Sequence, residues 1–157
     1  MTVFEAAKAG KCTVPEAFMM VALAAAGAFA DIRVSDGFLG KIAYVESRRD
    51  PNAHNKASGA YGIYQIRMPY LSDANEFLGT DYTLEDMFDE AKATEVVRAY
   101  LSKWGSRFAK RHGRPPTDEE LARIHNGGPR GAERKSTLKY AELFRIAPEG
   151  VEDEGQT

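Results

Sequence analysis

Glu46 closes an apolar helical stripe and opens a polar, glycine-punctuated loop in the stretch YVESRRDPNAHNKASGAYGIYQI, residues 44–66. A carboxylate at the edge of a core is costly to bury unless something needs it. Acid cleavage of a glycosidic bond is one such need: the leaving oxygen must receive a proton from an acid sheltered enough to keep one. Most schemes also need a second group. It is a carboxylate nucleophile, a carboxylate that activates water, or a group of the sugar itself. The nearest acid is Asp50, four residues on, and Asn55 and Ser58 stand in the loop as groups that could hold a water. A saccharide cleft also asks for flat aromatic faces and for amide or hydroxyl donors. Tyr61, Tyr64, Gln65, His125, Asn126 and Tyr140 are residues of those kinds. Taken singly, each has a plainer use. Tyr61 and Tyr64 suit packing, His125 suits a hydrogen bond at a helix end, and a lone glutamate suits a structural salt bridge.

The elements that would position these residues are mostly helical. Ser35 is a good N-cap, and Phe38, Leu39, Ile42, Val45 and Glu46 follow at helical spacing. Asp50-Pro51 is the expected end of that helix, because a residue before proline leaves the α region. Residues 52–60 read as loop, and AYGIYQI reads as a short strand broken at Gly62. Pro69 should open a helix through Phe77, and 89–104 a longer one ending near Gly105. Thr117 and Glu120 form a capping box for a helix that stops at Asn126-Gly127-Gly128-Pro129. A last helix over 137–146 is expected to bury Leu138, Leu143 and Phe144.

The bulk numbers bound the function. The chain has 157 residues, enough for one core, and its net charge of −2 gives no reason to expect nucleic acid. The last nine residues carry four acids and no base, and 148–157 reads as a solvated, disordered tail. Six Lys or Arg residues and no acid lie between Arg98 and Arg114, a face that could meet an anionic polymer or simply be solvated. The single cysteine, Cys12, rules out an intramolecular disulfide, and His54, His112 and His125 lack metal-ligand spacing, so no metal or cofactor is expected. The apolar run 17–30 is too short to span a bilayer comfortably. It ends Ala28-Phe29-Ala30 after Lys8 and Lys11, so residues 1–30 read as a cleavable secretory signal or an N-terminal helical extension. Residues 31–147 are left as the catalytic domain.

The ordered motifs IAYVES (42–47), YGIYQI (61–66), PYLSD (69–73), YLSKWG (100–105) and LARIHNGGPRG (121–131), with Thr137 and Tyr140 after them, resemble the lysozyme-like superfamily. Within it they are most similar to the invertebrate-type lysozymes, the destabilase family. ARIHNGGPRG is the most specific element. Glu-Ser followed by Gly-x-Tyr-Gln-Ile is shared more loosely with lytic transglycosylases and goose-type lysozymes. The resemblance implies an α+β, mainly helical, lysozyme-like fold with one small β-hairpin beside the cleft. It implies a secreted or extracytoplasmic monomeric muramidase acting on bacterial peptidoglycan, without stable membrane insertion. The bond cut would be the β-1,4 link between N-acetylmuramic acid and N-acetylglucosamine, and the family's general acid falls on Glu46. Its second catalytic aspartate would fall near 55–58, where this chain has none. That departure leaves three ways to capture the intermediate: Asp50, a water held by Asn55 or Ser58, or the sugar's own 6-hydroxyl as in lytic transglycosylases. It also motivates the alternative of a lysozyme fold that only binds glycan or a partner protein. The many cysteines of the animal members are missing too, so stability is expected from the core alone.

Overall fold

The computed structural model describes residues 32–150. The expected signal or extension at 1–30, Cys12 within it, and the tail from 151 onward lie outside the described residues.

Helix α1 spans Asp36–Ser47, with the Ser35 side chain accepting the Phe38 N–H at its start. Its buried face is Phe38, Leu39, Ile42 and Ala43. Ile42 is fully buried, and truncating such a side chain to alanine costs about 2–5 kcal/mol. The helix stops three residues before Asp50. Arg48 and Arg49 both take left-handed backbone, and their N–H groups close on the carbonyls of Tyr44 and Ala43. Both guanidinium groups lie over the Tyr44 ring, 4.2 and 5.2 Å from its centroid. Asp50 instead starts a turn, its carboxylate accepting the Asn52 N–H at 2.9 Å.

The expected loop before Ala60 contains a strand. β1 (His54–Asn55) pairs antiparallel with β2 (Ala60–Tyr61), with His54 opposite Tyr61 and Asn55 opposite Ala60. Tyr61 then folds back to bridge Ile66, so AYGIYQI is a strand and a tight turn. Gly62 makes that turn possible. Its φ is +75°, and a Cβ there would sit 1.9 Å from the Met87 carbonyl oxygen.

Helix α2 spans Met68–Leu78, with Pro69 in its first turn. Helix α3 runs Glu90–His112 and passes straight through Gly105. A Cβ at Gly105 would lie 3.1 Å from Ile32 and Leu121 side-chain atoms, so the glycine admits neighbours and does not end the helix. Helix α4 spans Asp118–Gly127 and keeps the Thr117–Glu120 capping box. Two short 3-10 turns, Gly131–Glu133 and Lys135–Thr137, lead to helix α5, Leu138–Ile146. Leu138 and Leu143 are exposed, contrary to expectation, and the buried face is Tyr140, Ala141 and Phe144. That rotation aims Tyr140 at α1. Helix α3 packs against α2 and α4, and α5 packs against α4 and α1. Residues 148–150 are held down, since Arg49 donates to the carbonyls of Pro148 and Glu149 at 2.9 and 3.3 Å.

The described residues therefore form the mainly helical α+β arrangement that was expected, with one small antiparallel hairpin.

Candidate active site

Glu46 is the next-to-last residue of α1, and its side chain keeps 19% exposure at the floor of a cleft of about 890 Å³. Ser47 beside it ties helix to hairpin. Its hydroxyl lies 2.7 Å from the Ile63 carbonyl and 3.2 Å from the Ala43 carbonyl. The sequence pair Glu-Ser thus couples the acid to the roof above it.

The setting of Glu46 is aromatic and polar, more than the purely apolar pocket the stripe suggests. The Tyr140 hydroxyl donates to Glu46 Oε1 at 2.7 Å. His125 Nε2 lies 3.4 Å from the same oxygen, and His125 Nδ1 lies 3.0 Å from the Tyr70 hydroxyl. Tyr70 stacks on Tyr100 with ring centroids 3.6 Å apart. Burial pushes the Tyr140 phenol well above its ordinary range, and the negative charge of Glu46 adds to it. Burial does the same to Tyr70, reinforced by Tyr100 and Glu46. Tyr100 is pushed up to about 12, again chiefly by burial. These phenols keep their protons throughout the working pH range, so Tyr140 is a fixed donor. With Oε1 occupied, Oε2 of Glu46 has no hydrogen-bond partner among the described residues.

Six residues expected at the site do line the cleft: Glu46, Asn55, Ser58, Gln65, His125 and Asn126. Asn55 uses Oδ1 to accept the Ser58 N–H at 3.2 Å, which shapes the hairpin tip. Gln65 takes left-handed backbone (φ 51°) and spends its amide donor on the Ala53 and Gly62 carbonyls. Its side-chain oxygen is left for a ligand. Tyr140 acts from behind Glu46 and does not line the cleft.

Three expected residues lie elsewhere. Asp50 is exposed in its turn and does not line the cleft. Tyr61 packs against His54 and Phe88, with centroids at 4.1 and 5.5 Å. Tyr64 is buried and shares a 3.0 Å hydrogen bond with Thr94. The aromatic residues in the cleft lining are instead Tyr70 and Tyr100, stacked on each other, with Tyr100 itself buried. Asp73 is also in the lining, and with Glu46 it makes up the carboxylates there. It accepts the Trp104 indole N–H at 3.1 Å and sits 3.6 Å from Lys103 Nζ. Tyr70 and Asp73 fall at i and i+3 of α2, inside the PYLSD motif, so a signal for both was present.

The basic run 98–114 is mostly neutralised by acids from other segments. Arg98 pairs with Asp36, Lys103 with Glu76, Arg111 with Glu133 and Arg114 with Glu120. It does not form the bare cationic face that the run suggests.

The Transglycosylase SLT domain family matches residues 27–142. A lysozyme of Magallana gigas is 35% identical over 125 residues, which is 78% of this chain and 87% of that protein. This chain belongs to the invertebrate-type lysozymes of the lysozyme-like superfamily. Another relative, the invertebrate-type lysozyme of Ruditapes philippinarum, is 34% identical over 87 residues, 55% of this chain and 60% of that protein. The crystal structure of Tapes japonica lysozyme superposes with a TM-score of 0.58 at 29% identity, covering 71% of this chain and 89% of that one. A chain of the Aeromonas hydrophila PliI complex with Meretrix lusoria lysozyme gives 0.59 at 28% identity, covering 72% and 90%.

Proposed function

We propose that this chain is a peptidoglycan-cleaving muramidase that cuts the β-1,4 bond between N-acetylmuramic acid and N-acetylglucosamine, with Glu46 as general acid. The carrying observation is the asymmetry of the Glu46 carboxyl group. Oε1 is held by Tyr140 and approached by His125, while Oε2 has no hydrogen-bond partner among the described residues and Glu46 lines the cleft. A proton on Oε2 can pass to the glycosidic oxygen while Tyr140 receives the charge that develops on the carboxylate. Asn126 and the Gln65 side-chain oxygen are the polar groups suited to acetamido and hydroxyl substituents, and Tyr70, backed by the buried Tyr100, is the aromatic residue suited to a sugar contact.

The intermediate is then captured by a water near Asn55 and Ser58 or by the 6-hydroxyl of the muramyl sugar. Asp50 lies outside the cleft lining, and Asp73 is engaged by Trp104 and Lys103, so neither is assigned as nucleophile. This single-acid arrangement, together with the family match, favours keeping the lytic transglycosylase outcome as the second reading. The substrate is a wall polymer, so the place of action is extracytoplasmic. Among the described residues no helix is long and apolar enough to cross a membrane.

The test is digestion of purified peptidoglycan by the wild type and by Glu46→Gln, with soluble products weighed by mass spectrometry. Products with reducing N-acetylmuramic acid, absent with the variant, establish hydrolysis. Products lighter by one water establish the transglycosylase outcome. Equal digestion by both proteins would remove Glu46 from the chemistry. Retained glycan binding without any product would make the fold a binding module.

A further inference from the structure

Five ionisable residues other than tyrosine line the cleft: Glu46, Arg67, Asp73, His125 and Arg134. Three of them are engaged, as described above. Arg67 and Arg134 differ. Arg67 is the N-cap position of α2, and its side chain makes no capping hydrogen bond. Arg134 links the two 3-10 turns. Its backbone is pinned, because the Arg134 carbonyl accepts from Arg123 Nη2 at 2.9 Å and from the Thr137 hydroxyl at 2.8 Å. Neither guanidinium group has an ion-pair or hydrogen-bond partner among the described residues, and both side chains are exposed. Four of the six cations between Arg98 and Arg114 have such partners. The cleft is thus the place where two separate segments bring uncompensated guanidinium groups to one cavity.

A guanidinium fork matches a carboxylate in shape and charge. A neutral amino-sugar chain offers it hydrogen-bond acceptors but no opposite charge. The muramyl sugar supplies that charge, because its lactyl ether carries a carboxyl group, free or extended into a peptide stem with carboxylates of its own. We propose that Arg67 and Arg134 are specificity-determining residues that bind carboxylates of the muramyl substituent. Through them the cleft selects peptidoglycan over uncharged β-1,4 amino-sugar polymers. This inference rests on the peptidoglycan reading of the same cleft.

The experiment compares the wild type with Arg67→Gln/Arg134→Gln on four soluble glycans. They are stem-bearing muramyl glycan, the same glycan with its carboxylates converted to methylamides, the glycan stripped of stems to leave the lactyl carboxylate, and chitohexaose. Cleavage gives kcat and KM, and calorimetric titration gives Kd independently of cleavage. The expected wild-type preference for the native over the amidated glycan is about ten-fold, in KM and Kd and not in kcat. The double variant should lose that preference and treat the amidated glycan and chitohexaose as the wild type does. A preference that survives stem removal assigns the lactyl carboxylate, and one that vanishes assigns the stem. Both outcomes support the proposal. A double variant that keeps the preference, or a wild type that binds native and amidated glycan alike, overturns it. A wild type that cuts nothing but shows the binding preference, lost in the variant, would sink the catalytic reading and leave this one standing. Both side chains are exposed and unpaired among the described residues, so the variant should fold, which circular dichroism checks.

Discussion

Removing the Tyr140 hydroxyl tests how Glu46 is made to work. In Tyr140→Phe the ring still fills its buried place on α5, and only the donor to Glu46 Oε1 is lost. In the proposed mechanism the acceptor before reaction is the protonated acid, and such a neutral hydrogen bond is worth roughly 0.5–1.5 kcal/mol. As the proton leaves Oε2, the acceptor becomes a carboxylate, and the same bond is worth roughly 1.5–3 kcal/mol. The difference, about 1–1.5 kcal/mol, exists only near the transition state, so it should appear in kcat as a loss of about 5- to 13-fold. KM should stay within about two-fold, because the hydroxyl faces Glu46 and not the cleft. Stability should change little, since the desolvated hydroxyl and its one bond leave together. Steady-state kinetics on soluble peptidoglycan and a urea melt read all three. A loss carried by KM with kcat intact would refute the reasoning, and so would full activity.

Two further variants probe what holds the site. Gly62→Ala would place a Cβ 1.9 Å from the Met87 carbonyl oxygen, a backbone atom that cannot step aside. It should cost more than about 3 kcal/mol in a urea melt and displace the Gln65 edge of the cleft, whereas Gly59→Ala (φ +63°, nothing within 4 Å) should cost only about 1 kcal/mol. Equal costs would show that the hairpin is not braced on Met87. Glu120 is held down to about 2, first by the Arg114 guanidinium and then by its capping-box bonds. A depressed carboxylate stabilises the fold above its unfolded value and loses that contribution as pH falls through its folded value. After discounting for the half-exposed Arg114, the loss between about pH 5 and 2 should be about 1–2 kcal/mol. Glu120→Gln should remove that part of the acid slope in melts taken across the range, and an unchanged slope would assign acid instability elsewhere.

The helices were legible because their signals are local. Ser35, the Thr117–Glu120 box and the stripe ending at Glu46 each act within a turn or two of chain, and each appears where the spacing puts it. The misreadings have the opposite character. Gly105 looks like a stop until Ile32 and Leu121 are seen to need its missing Cβ. Leu138 and Leu143 look like core until Tyr140 claims the inward face of α5. The cations of the 98–114 run look like a bare basic surface until Asp36, Glu76, Glu133 and Glu120 arrive from other elements. In each case the deciding partner is distant in sequence.

The site divides the same way. Glu46, Asn55, Ser58, Gln65, His125 and Asn126 sit in short motifs whose residue types announce a polar cleft. Tyr70 and Asp73 were hidden by an ordinary helical context, although their i, i+3 spacing puts them on one face of α2. Tyr140 was legible as a residue and not as a role. Only the packing of α5 on α1 puts its hydroxyl on Glu46 and leaves it out of the cleft lining. The same packing bears on the missing aspartate. A second carboxylate in the hairpin loop would stabilise positive charge on the sugar. In the proposed mechanism the Tyr140 hydroxyl instead stabilises negative charge on Glu46, on the other partner of the same proton transfer. A site built this way places its electrostatic help on the acid, and leaves the sugar cation to water or to its own hydroxyl. The product masses from wild-type digestion therefore decide the mechanism as well as the name of the reaction.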